Sequence, residues 1–505
     1  MPKDRSGDRP LDRRDFIRTM GLCAASLAVA QTTGCAPAPT SRRPNIVFIM
    51  ADDLGYGELG SYGQDKIRTP NLDRLASEGM RFTQHYSGSP VCAPSRCVLL
   101  TGMHTGHAYI RGNDEMGDRG DVWGDLSLEG QRPIPAGTTT VGTVLQDAGY
   151  TTGAMGKWGL GGPDSEGAPN LQGFDRWFGY LGQRLAHNYY PVHLWSDSTK
   201  VELDNEYFHP HQRLPADADP NDPASYKPYQ GNEYAPDRII EATLDFVREH
   251  SADPFFLYVP FTIPHVSLQL PDEDLAEYEG EFEEEPYVGD AGYVPHPKPR
   301  AAYAGMITRM DKDIGRILDL ISDLGLEDDT IVFFTSDNGP TWVSGVDFEF
   351  FGSQGGLRGR KAQLWEGGIR VPLIAKWPGR IAAGAVSDFP SAFWDFMPTF
   401  AELAEVDGPE NVDGVSLVPT LLGRSGEQSD HQYLYWEYIG GQVVRIGDLK
   451  GIRLNPDADI ELYDLGTDAA ETLDVSGDHP NVMARIEEIM RTGRTESELF
   501  PLRRG

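Results

Sequence analysis

The most reactive side chains of this sequence cluster in residues 90–102, where a cysteine is closely followed by a proline and an arginine. The segment reads Pro-Val-Cys-Ala-Pro-Ser-Arg-Cys-Val-Leu-Leu-Thr-Gly. This pattern is typical of a turn leading into a helix, whose first backbone N–H groups and Arg96 could surround an anion. A thiol at that position, Cys92, would have a lowered pKa. The spacing alone equally allows a buried cysteine beside a proline turn, so both interpretations stay open.

Acidic and amide side chains form a second group, because they follow two apolar segments in the same way. Residues 44–50 and residues 330–334 are continuous apolar runs, typical of buried parallel strands, and a polar pair comes after each. Parallel strands bring their carboxyl ends to one sheet edge, where α/β proteins place their chemistry. Oxygen ligands of this kind select Ca²⁺ or Mg²⁺. The predicted ligands are Asp52, Asp53, Asp337 and Asn338.

The elements that must position these groups alternate between helix and strand. This alternation predicts an α/β fold with a large, mostly parallel sheet sandwiched by helices. Predicted strands cover residues 44–50, 151–155, 255–260 and 330–334, and predicted helices cover residues 138–148, 237–250 and 299–324. Residues 188–235 and 268–298 are rich in proline, glycine and acidic residues and are predicted to be long surface loops.

A smaller unit is predicted after the α/β domain, which we assign to residues 41–385. Residues 386–505 predict a linker and then a C-terminal α+β subdomain with an antiparallel sheet. Its strand-like segments are residues 434–438, 442–446, 448–452 and 460–463, and residues 481–491 predict a closing helix.

Residues 1–40 are predicted to be an export signal rather than part of the fold. Arg13 and Arg14 form a twin-arginine pair ahead of a short apolar run, and the residues before Cys35 resemble a lipoprotein cleavage box. The apolar run is too short to remain as a membrane-spanning helix. We therefore expect a periplasmic or extracellular protein, with Cys35 as a candidate lipid anchor.

The composition excludes some classes of function. The 505 residues carry a formal net charge of −33, which argues against nucleic-acid binding through a basic face. The spacing of Cys92 and Cys97 does not match a zinc site, and the cysteines provide no disulfide framework. The sequence leaves the oligomeric state open.

Six motifs follow one another along the chain. They are Asp52-Asp53; Cys92-Ala-Pro-Ser-Arg96 with Leu99-Leu-Thr-Gly102; Gly156-Lys157-Trp158; Pro264-His265; Asp337-Asn338-Gly339; and Leu357-Arg-Gly-Arg-Lys361 before Trp365-Glu-Gly-Gly368. In type and order they resemble the motifs of the type I, formylglycine-dependent sulfatases, a branch of the alkaline-phosphatase-like superfamily. The resemblance covers nearly the whole chain after residue 42.

The resemblance implies that Cys92 is oxidised to formylglycine (3-oxoalanine) by a formylglycine-generating enzyme during maturation. The hydrated aldehyde would be the nucleophile, and its second hydroxyl would release sulfate by re-forming the aldehyde. The resemblance also implies a Ca²⁺ ion, with Mg²⁺ as the alternative, bound by residue 92 and the four predicted oxygen ligands.

Other site residues acquire roles through the same resemblance. Lys157 and Lys361 would neutralise sulfate oxygens, and Arg96 would hold the formylglycine. His265 would protonate the leaving alcohol as general acid. One position departs from the family pattern, since many members have a histidine two residues after the lysine of the GKW motif, where this chain has Gly159.

That histidine is credited with activating the nucleophile, so its absence leaves the base unidentified. The candidates are His104, His107 and His187, and we hypothesise that His107 or His187 replaces it.

Residues 183–190, together with Asn113, combine hydrogen-bonding and aromatic groups that could line a sugar subsite. The predicted substrate-binding residues are His107, Arg111, His187 and Asn188, and Trp436 and Glu437 are candidates for the rim. The alternative is a polar loop that packs on itself.

The resulting hypothesis is a sulfatase that acts on a sulfated glycan or another small sulfate ester. A phosphodiesterase or phosphonate monoester hydrolase of the same superfamily is one alternative. A catalytically impaired glycan-binding lipoprotein is another, because the missing histidine would allow it.

Overall fold

The computed structural model describes residues 43–114 and 131–502. Arg13, Arg14 and Cys35, on which the export prediction rests, lie outside the described residues. Within the described part of the chain, no helix is both long and apolar enough to cross a membrane.

An eleven-stranded sheet forms the centre of the described residues. Its strands are β1 (Asn45–Ala51), β2 (Met80–Tyr86), β3 (Thr151–Lys157), β4 (Arg176–Tyr180), β5 (His193–Ser196), β6 (Thr199–Glu202), β7 (Phe255–Pro260), β8 (Thr330–Ser336), β9 (Arg370–Lys376), β10 (Ala385–Ser387) and β11 (Ser391–Ala392). Their order is β10-β2-β9-β8-β1-β7-β3-β4-β5-β6, and β11 also pairs with β2. The central strands β8, β1, β7, β3 and β4 are parallel, whereas β9 and the β5–β6 hairpin run antiparallel to their neighbours.

Helices cover both faces of this sheet. In chain order they are α1 (Pro70–Glu78), α2 (Cys92–Thr101), α3 (Val141–Asp147), α4 (Ala235–Glu249), α5 (Asp272–Ala276), α6 (Pro299–Asp323), α7 (Phe348–Phe351), α8 (Glu366–Ile369), α9 (Phe396–Leu403), α10 (Val418–Leu421) and α11 (Pro480–Thr492). Helices α1, α4 and α6 contribute to the apolar core on one face, and α2, α3 and α9 contribute to the core on the other.

Strand β1 shows why the apolar runs predicted this arrangement. Ile46, Phe48 and Met50 lie in one apolar core, and Val47 and Ile49 lie in the other. Because successive side chains of a strand point to opposite faces, a strand covered by helices on both faces must be apolar throughout. The predicted fold class is therefore confirmed.

A second, antiparallel sheet follows in the C-terminal part. It consists of β12 (Leu434–Tyr438), β13 (Gly441–Ile446), β14 (Leu449–Arg453) and β15 (Glu461–Asp464), in chain order. Helix α11 packs on it through Ile486, Ile489 and Met490. The predicted division of the chain after residue 385 stays a prediction; β10 begins at that residue and pairs with β2 of the large sheet.

The prediction of two long surface loops was wrong in part. Residues 188–235 contain the β5–β6 hairpin, and residues 268–298 contain α5. The hairpin forms because β5 pairs with β4 and buries Leu194 and Trp195. The pairing partner of an edge strand cannot be seen in the local sequence pattern, because the contact is tertiary.

Candidate active site

Strands β1 and β8 end side by side and bring the four predicted oxygen ligands together. The two strands are parallel neighbours over their whole length. The backbone N–H of Asp53 donates to Asp337 Oδ1 at 3.0 Å, and Asn338 Nδ2 donates to Asp53 Oδ1 at 2.8 Å. Asp52 and these three residues are fully buried. The arrangement expected from two matched strand ends is present.

Helix α2 begins at Cys92, next to these carboxylates. Its Sγ lies 3.5 Å from Asp52 Oδ1 and 3.9 Å from Asp53 Oδ1, and Lys361 Nζ is 3.6 Å from the same sulfur. The expectation of a lowered thiol pKa was wrong. Burial outweighs the charges of Lys157 and Lys361 and raises the pKa of Cys92 to about 12. The thiol is therefore neutral at physiological pH and a poor nucleophile.

Each carboxylate of the cluster has a cationic partner. The pairs are Arg96–Asp337 at 2.7 Å, Lys157–Asp52 at 2.5 Å and Lys361–Asp53 at 2.7 Å. The cations come from one turn into α2, from the end of β3 and from the segment before α8. We call these six side chains the site cluster. Elements distant in sequence therefore converge to build it.

The pKa values of two carboxyl groups in the site cluster are displaced in opposite directions. Burial, and then the charge of Asp52, raise the pKa of Asp337 to about 7. Burial acts on Asp52 as well, but Lys157, followed by His265 and Arg96, holds the pKa of Asp52 below its ordinary value. Carboxylates crowded in this way would be stabilised by a bound cation.

The donor atoms at this position fit a hard divalent cation. Asn338 Oδ1 is buried and has no hydrogen-bond partner within the described residues. An acceptor left in that state costs about 1–3 kcal/mol, and a metal ion would relieve the cost. Carboxylate oxygens surround the same point. Asp52, Asp53, Cys92 and His265 each place one potential ligand atom within 4.8 Å of the others.

His265 lies after β7, at the same edge of the sheet. Its Nε2 is 3.7 Å from Asp53 Oδ2, and its Nδ1 is 2.5 Å from the backbone oxygen of Val266. Its ring stacks on that of His187, with 4.8 Å between the centroids. Burial, and then the charge of Lys361, lower the pKa of His265 to about 4. A bound anion would oppose this effect and favour the imidazolium form.

A cavity of about 350 Å³ opens above Cys92. Its lining includes polar side chains and both stacked histidines. The lining residues are Cys92, Asn113, Asp114, Gln131, Gln183, Arg184, His187 and His265. A cavity of this size accommodates a small organic group next to the site cluster.

Of the predicted substrate-binding residues, His187 lines this cavity, but His107, Arg111 and Asn188 do not, among the described lining residues. His107 Nδ1 lies 2.9 Å from Asp413 Oδ1, and Arg111 Nη1 donates to Glu437 Oε1 at 2.7 Å. The side chain of Asn188 accepts a bond from the backbone of the same loop. Each of these three side chains therefore has a partner within the protein, and their role in substrate binding stays a prediction.

The rim candidates are also occupied elsewhere. Trp436 is fully buried and donates from Nε1 to the backbone oxygen of Ser87 at 2.9 Å. Glu437 is 3% exposed and is paired with Arg111 and Arg494.

The three candidate bases lie in two different places in the structure. His104 and His107 stack on each other and share Asp413, while His187 lies in the cavity beside His265. Burial, and then the charge of His265, hold the pKa of His187 well below its ordinary value, so its ring is neutral, and its Nδ1 lies 2.9 Å from His211 Nε2. Of His107 and His187, His187 is the one among the described residues that line the cavity.

Two cavity residues were missed by the sequence interpretation. Asp114 and Gln131 lie on either side of residues 115–130 and belong to no motif. Both follow α2 in the chain, and the sequence holds no recognisable signal that places them at the cavity.

Comparisons with known proteins agree with this geometry. A family model described as Sulfatase matches residues 44–406, and one described as N-sulphoglucosamine sulphohydrolase, C-terminal, matches residues 360–496. N-acetylgalactosamine-6-sulfatase of Canis lupus familiaris is 30% identical over 487 residues, which cover 94% of this chain and 85% of the relative. Arylsulfatase A of Bos taurus is 33% identical over 441 residues, which cover 84% of this chain and 77% of the relative.

A solved structure has a similar fold. The crystal structure of Ps i-CgsB is 25% identical in sequence and superposes with a TM-score of 0.70. The match covers 90% of this chain and 93% of that chain. The same protein has been crystallised in complex with k-i-k-neocarrahexaose.

Proposed function

The chain belongs to the sulfatase family and is a sulfuric ester hydrolase, and on this premise we propose that it cleaves the sulfate ester of a sulfated carbohydrate through a formylglycine at position 92. The observation that carries the proposal is the position of Cys92, which lies between the carboxylates and cations of the site cluster at the floor of a polar cavity.

Two comparisons support the carbohydrate part of the proposal. The relative from Canis lupus familiaris is named N-acetylgalactosamine-6-sulfatase, after a sulfated amino sugar. The protein Ps i-CgsB has been crystallised with k-i-k-neocarrahexaose, an oligosaccharide. The side chains that line the cavity above Cys92 carry amide, carboxylate and imidazole groups. Such groups suit the hydroxyl groups of a sugar better than they suit a sterol or a simple aromatic ring.

Formylglycine at position 92 would supply a hydrated aldehyde as the nucleophile. The cysteine itself is unsuited to the task, because burial keeps its thiol neutral. Cys92 is also only 1% exposed, so a modifying enzyme would reach it before the chain has folded. We therefore include a formylglycine-generating enzyme as a partner during maturation.

A divalent cation, Ca²⁺ or Mg²⁺, would supply Lewis-acid stabilisation of the sulfate oxygens when bound. Asp52, Asp53, Asp337 and Asn338 would hold it, together with residue 92. Lys157 and Lys361 now neutralise two of these carboxylates. With the carboxylates engaged as ligands, both lysines can neutralise the substrate anion instead.

Three further side chains would position groups and move protons. Arg96 is anchored on Asp337 and on the backbone oxygen of Lys157, which holds the start of α2 in place. His265 would protonate the leaving oxygen once the substrate anion has favoured its imidazolium form. His187, neutral and stacked on His265, would accept the proton that the nucleophile loses.

We also propose that the protein is exported, on the basis of the twin-arginine pair alone. The cysteine that would carry a lipid, Cys35, is the anchor in this proposal.

The test compares Cys92→Ala with Cys97→Ala, a matched change at a buried cysteine of the same helix. We expect Cys92→Ala to lose sulfatase activity on the order of 10⁴-fold or more, while Cys97→Ala stays active. Mass spectrometry of the peptide containing residue 92 should show the aldehyde in the wild type. An unmodified thiol in fully active protein would overturn the proposal.

A second arm separates the rival hydrolases. The wild type is assayed on a sulfated sugar, a phosphate monoester and a phosphate diester at one pH. Faster turnover of either phosphate would favour the phosphodiesterase or phosphonate hydrolase alternative.

A further inference from the structure

Gly159 and Gln183 occupy one position in the structure although they lie far apart in the sequence. The segments that follow the parallel strands β3 and β4 run side by side, and the backbone N–H of Gly159 donates to the oxygen of Leu181 at 3.0 Å. This pairing places the Gln183 amide against Gly159. A Cβ at position 159 would lie 1.8 Å from Gln183 Nε2, and the backbone there has a φ of +81°. The amide therefore fills the volume that a side chain at position 159 would need.

Gln183 Nε2 is a buried donor that the protein leaves unused. The residue is 7% exposed, and this nitrogen has no hydrogen-bond partner in the described part of the chain. Burial of an unpaired amide is unfavourable, so such a group indicates a missing partner. The amide also belongs to the lining of the cavity above Cys92, together with His187 and His265.

The backbone of Gln183 is held in place independently of its side chain. Its N–H donates to Gln131 Oε1 at 3.1 Å, across the same cavity. Because this bond anchors the backbone, the side-chain amide can keep a fixed position without a hydrogen-bond partner of its own.

We infer that the Gln183 side-chain amide is a hydrogen-bond donor to an oxygen of the bound sulfate group, and that Gly159 is required to leave room for it. This inference rests on the proposed function, since it takes the anion in the cavity to be a sulfate. The amide contributes binding and orientation but no proton transfer, because it does not titrate. The proton acceptor remains His187.

The experiment measures Gln183→Ala and Gln183→Glu against Gln230→Ala, an exposed glutamine outside this cavity. Steady-state kinetics on a sulfated sugar are combined with inhibition by inorganic sulfate. We expect Gln183→Ala to raise KM about tenfold and to weaken sulfate inhibition by a similar factor. Gln183→Glu should lose more, because a carboxylate of the same shape repels the anion. Gln230→Ala should match the wild type.

Unchanged kinetics and unchanged sulfate inhibition in Gln183→Ala would overturn the inference. A loss on the sulfated sugar with normal sulfate inhibition would also overturn it, because the amide would then bind a sugar hydroxyl. Calorimetry of inorganic sulfate binding tests the inference even if no sulfate ester is turned over, so failure of the proposed function can be recognised separately.

A double-mutant cycle tests the shared volume. Gly159→Ala should reduce kcat/KM about tenfold in the wild type and distinctly less in Gln183→Ala, because the displaced amide is already absent there. Equal effects in both backgrounds would contradict the requirement for glycine.

Discussion

Two groups of buried charged side chains in this molecule resemble each other in burial and charge but differ in their hydrogen-bond partners. One is the site cluster at the ends of β1 and β8. The other, which we call the paired cluster, consists of Glu366, Lys450 and Glu471 and joins the large sheet to the small antiparallel one. Lys450 Nζ lies 3.0 Å from Glu366 Oε1 and 2.7 Å from Glu471 Oε1, and all three side chains are fully buried.

Each carboxylate of the paired cluster contacts at least one cation or hydrogen-bond donor. Glu366 Oε2 accepts a bond from Tyr86 Oη at 2.8 Å, and Glu471 Oε2 accepts one from the backbone N–H of Glu366 at 2.7 Å. Burial would raise the pKa of Glu366, but Lys450, followed by Arg370, lowers it below its ordinary value. Burial raises the pKa of Glu471, whose Oε1 forms an ion pair with Lys450 but no hydrogen bond within the described residues. Because Lys450 holds both carboxylates, this cluster fits a structural role.

The cavity beside the site cluster, by contrast, has polar atoms without partners within the described residues. Asn338 Oδ1 and Gln183 Nε2 are buried and unbonded within the described residues, and the pKa of Asp337 is raised to about 7. Both clusters are buried and charged, so burial of charge by itself does not indicate function. The indicator is the polar group that the protein leaves for something else to bind.

The largest expected difference between the two clusters is their response to divalent cations, which should bind at the site cluster and not at the paired cluster. Removing divalent cations with a chelator should reduce sulfatase activity about 10³-fold or more, because several kcal/mol of charge stabilisation are lost. Adding Ca²⁺ back at 100 times its Kd should stabilise the folded protein by about 2.7 kcal/mol. Thermal unfolding with and without Ca²⁺, together with the assay, measures both effects.

The Asn338→Ala variant should need much more Ca²⁺ for the same stabilisation, whereas Asn232→Ala, an exposed control, should behave like the wild type. A chelated enzyme that keeps full activity and an unchanged unfolding temperature would remove the distinction between the clusters.

The paired cluster should respond in stability rather than in activity. Lys450→Met leaves the buried Glu471 without its cation and leaves Glu366 with Arg370 alone, so it should cost about 3–5 kcal/mol of unfolding free energy. The kcat/KM of the remaining folded enzyme should change less than about threefold. Chemical denaturation and the sulfatase assay on the same preparation measure the two quantities.

Lys66→Met, a change at a more exposed lysine, provides the control for loss of charge. Adding Glu471→Gln to Lys450→Met should recover part of the lost stability. If Lys450→Met lowered kcat/KM as strongly as a site-cluster variant, the structural interpretation of the paired cluster would be wrong.

The smallest expected effect concerns an ion pair outside both clusters, between His431 and Asp395. His431 Nε2 lies 3.1 Å from Asp395 Oδ2. Burial opposes the charged imidazole, but the charge of Asp395 prevails and raises the pKa of His431 above 6.5. A raised folded-state pKa means that the stabilisation is complete below the unfolded pKa and is lost as pH rises through the folded one. His431→Asn should therefore cost about 1 kcal/mol near pH 5.5 and less near pH 9.

Thermal unfolding of both proteins across this pH range measures the difference. A cost that grows with pH would have the opposite sign and would show that the imidazole is neutral in the folded protein.

Much of the site could be predicted because strand ends are local features. The apolar runs before Asp52 and Asp337 predicted parallel strands that end at one edge of the sheet. The polar residues after the two strands lie together because the strands pair. The substrate-binding residues stay predictions, and the structure places only His187 of them among the described residues that line the cavity above Cys92. His107 and Arg111 follow Cys92 closely in sequence, but their partners, Asp413 and Glu437, lie more than 300 positions away.

The amino-acid sequence by itself determined the fold class, the order of the motifs and the residues that could carry charge or bind a metal. These properties depend on periodicity and side-chain chemistry, which are local. Only the tertiary structure decided which polar groups are satisfied and which are left open. It raised rather than lowered the thiol pKa of Cys92, and it set Gln183 in the space beside Gly159. The physical reason is that desolvation and hydrogen-bond pairing depend on neighbours from distant segments, and these meet only when the sheet is assembled.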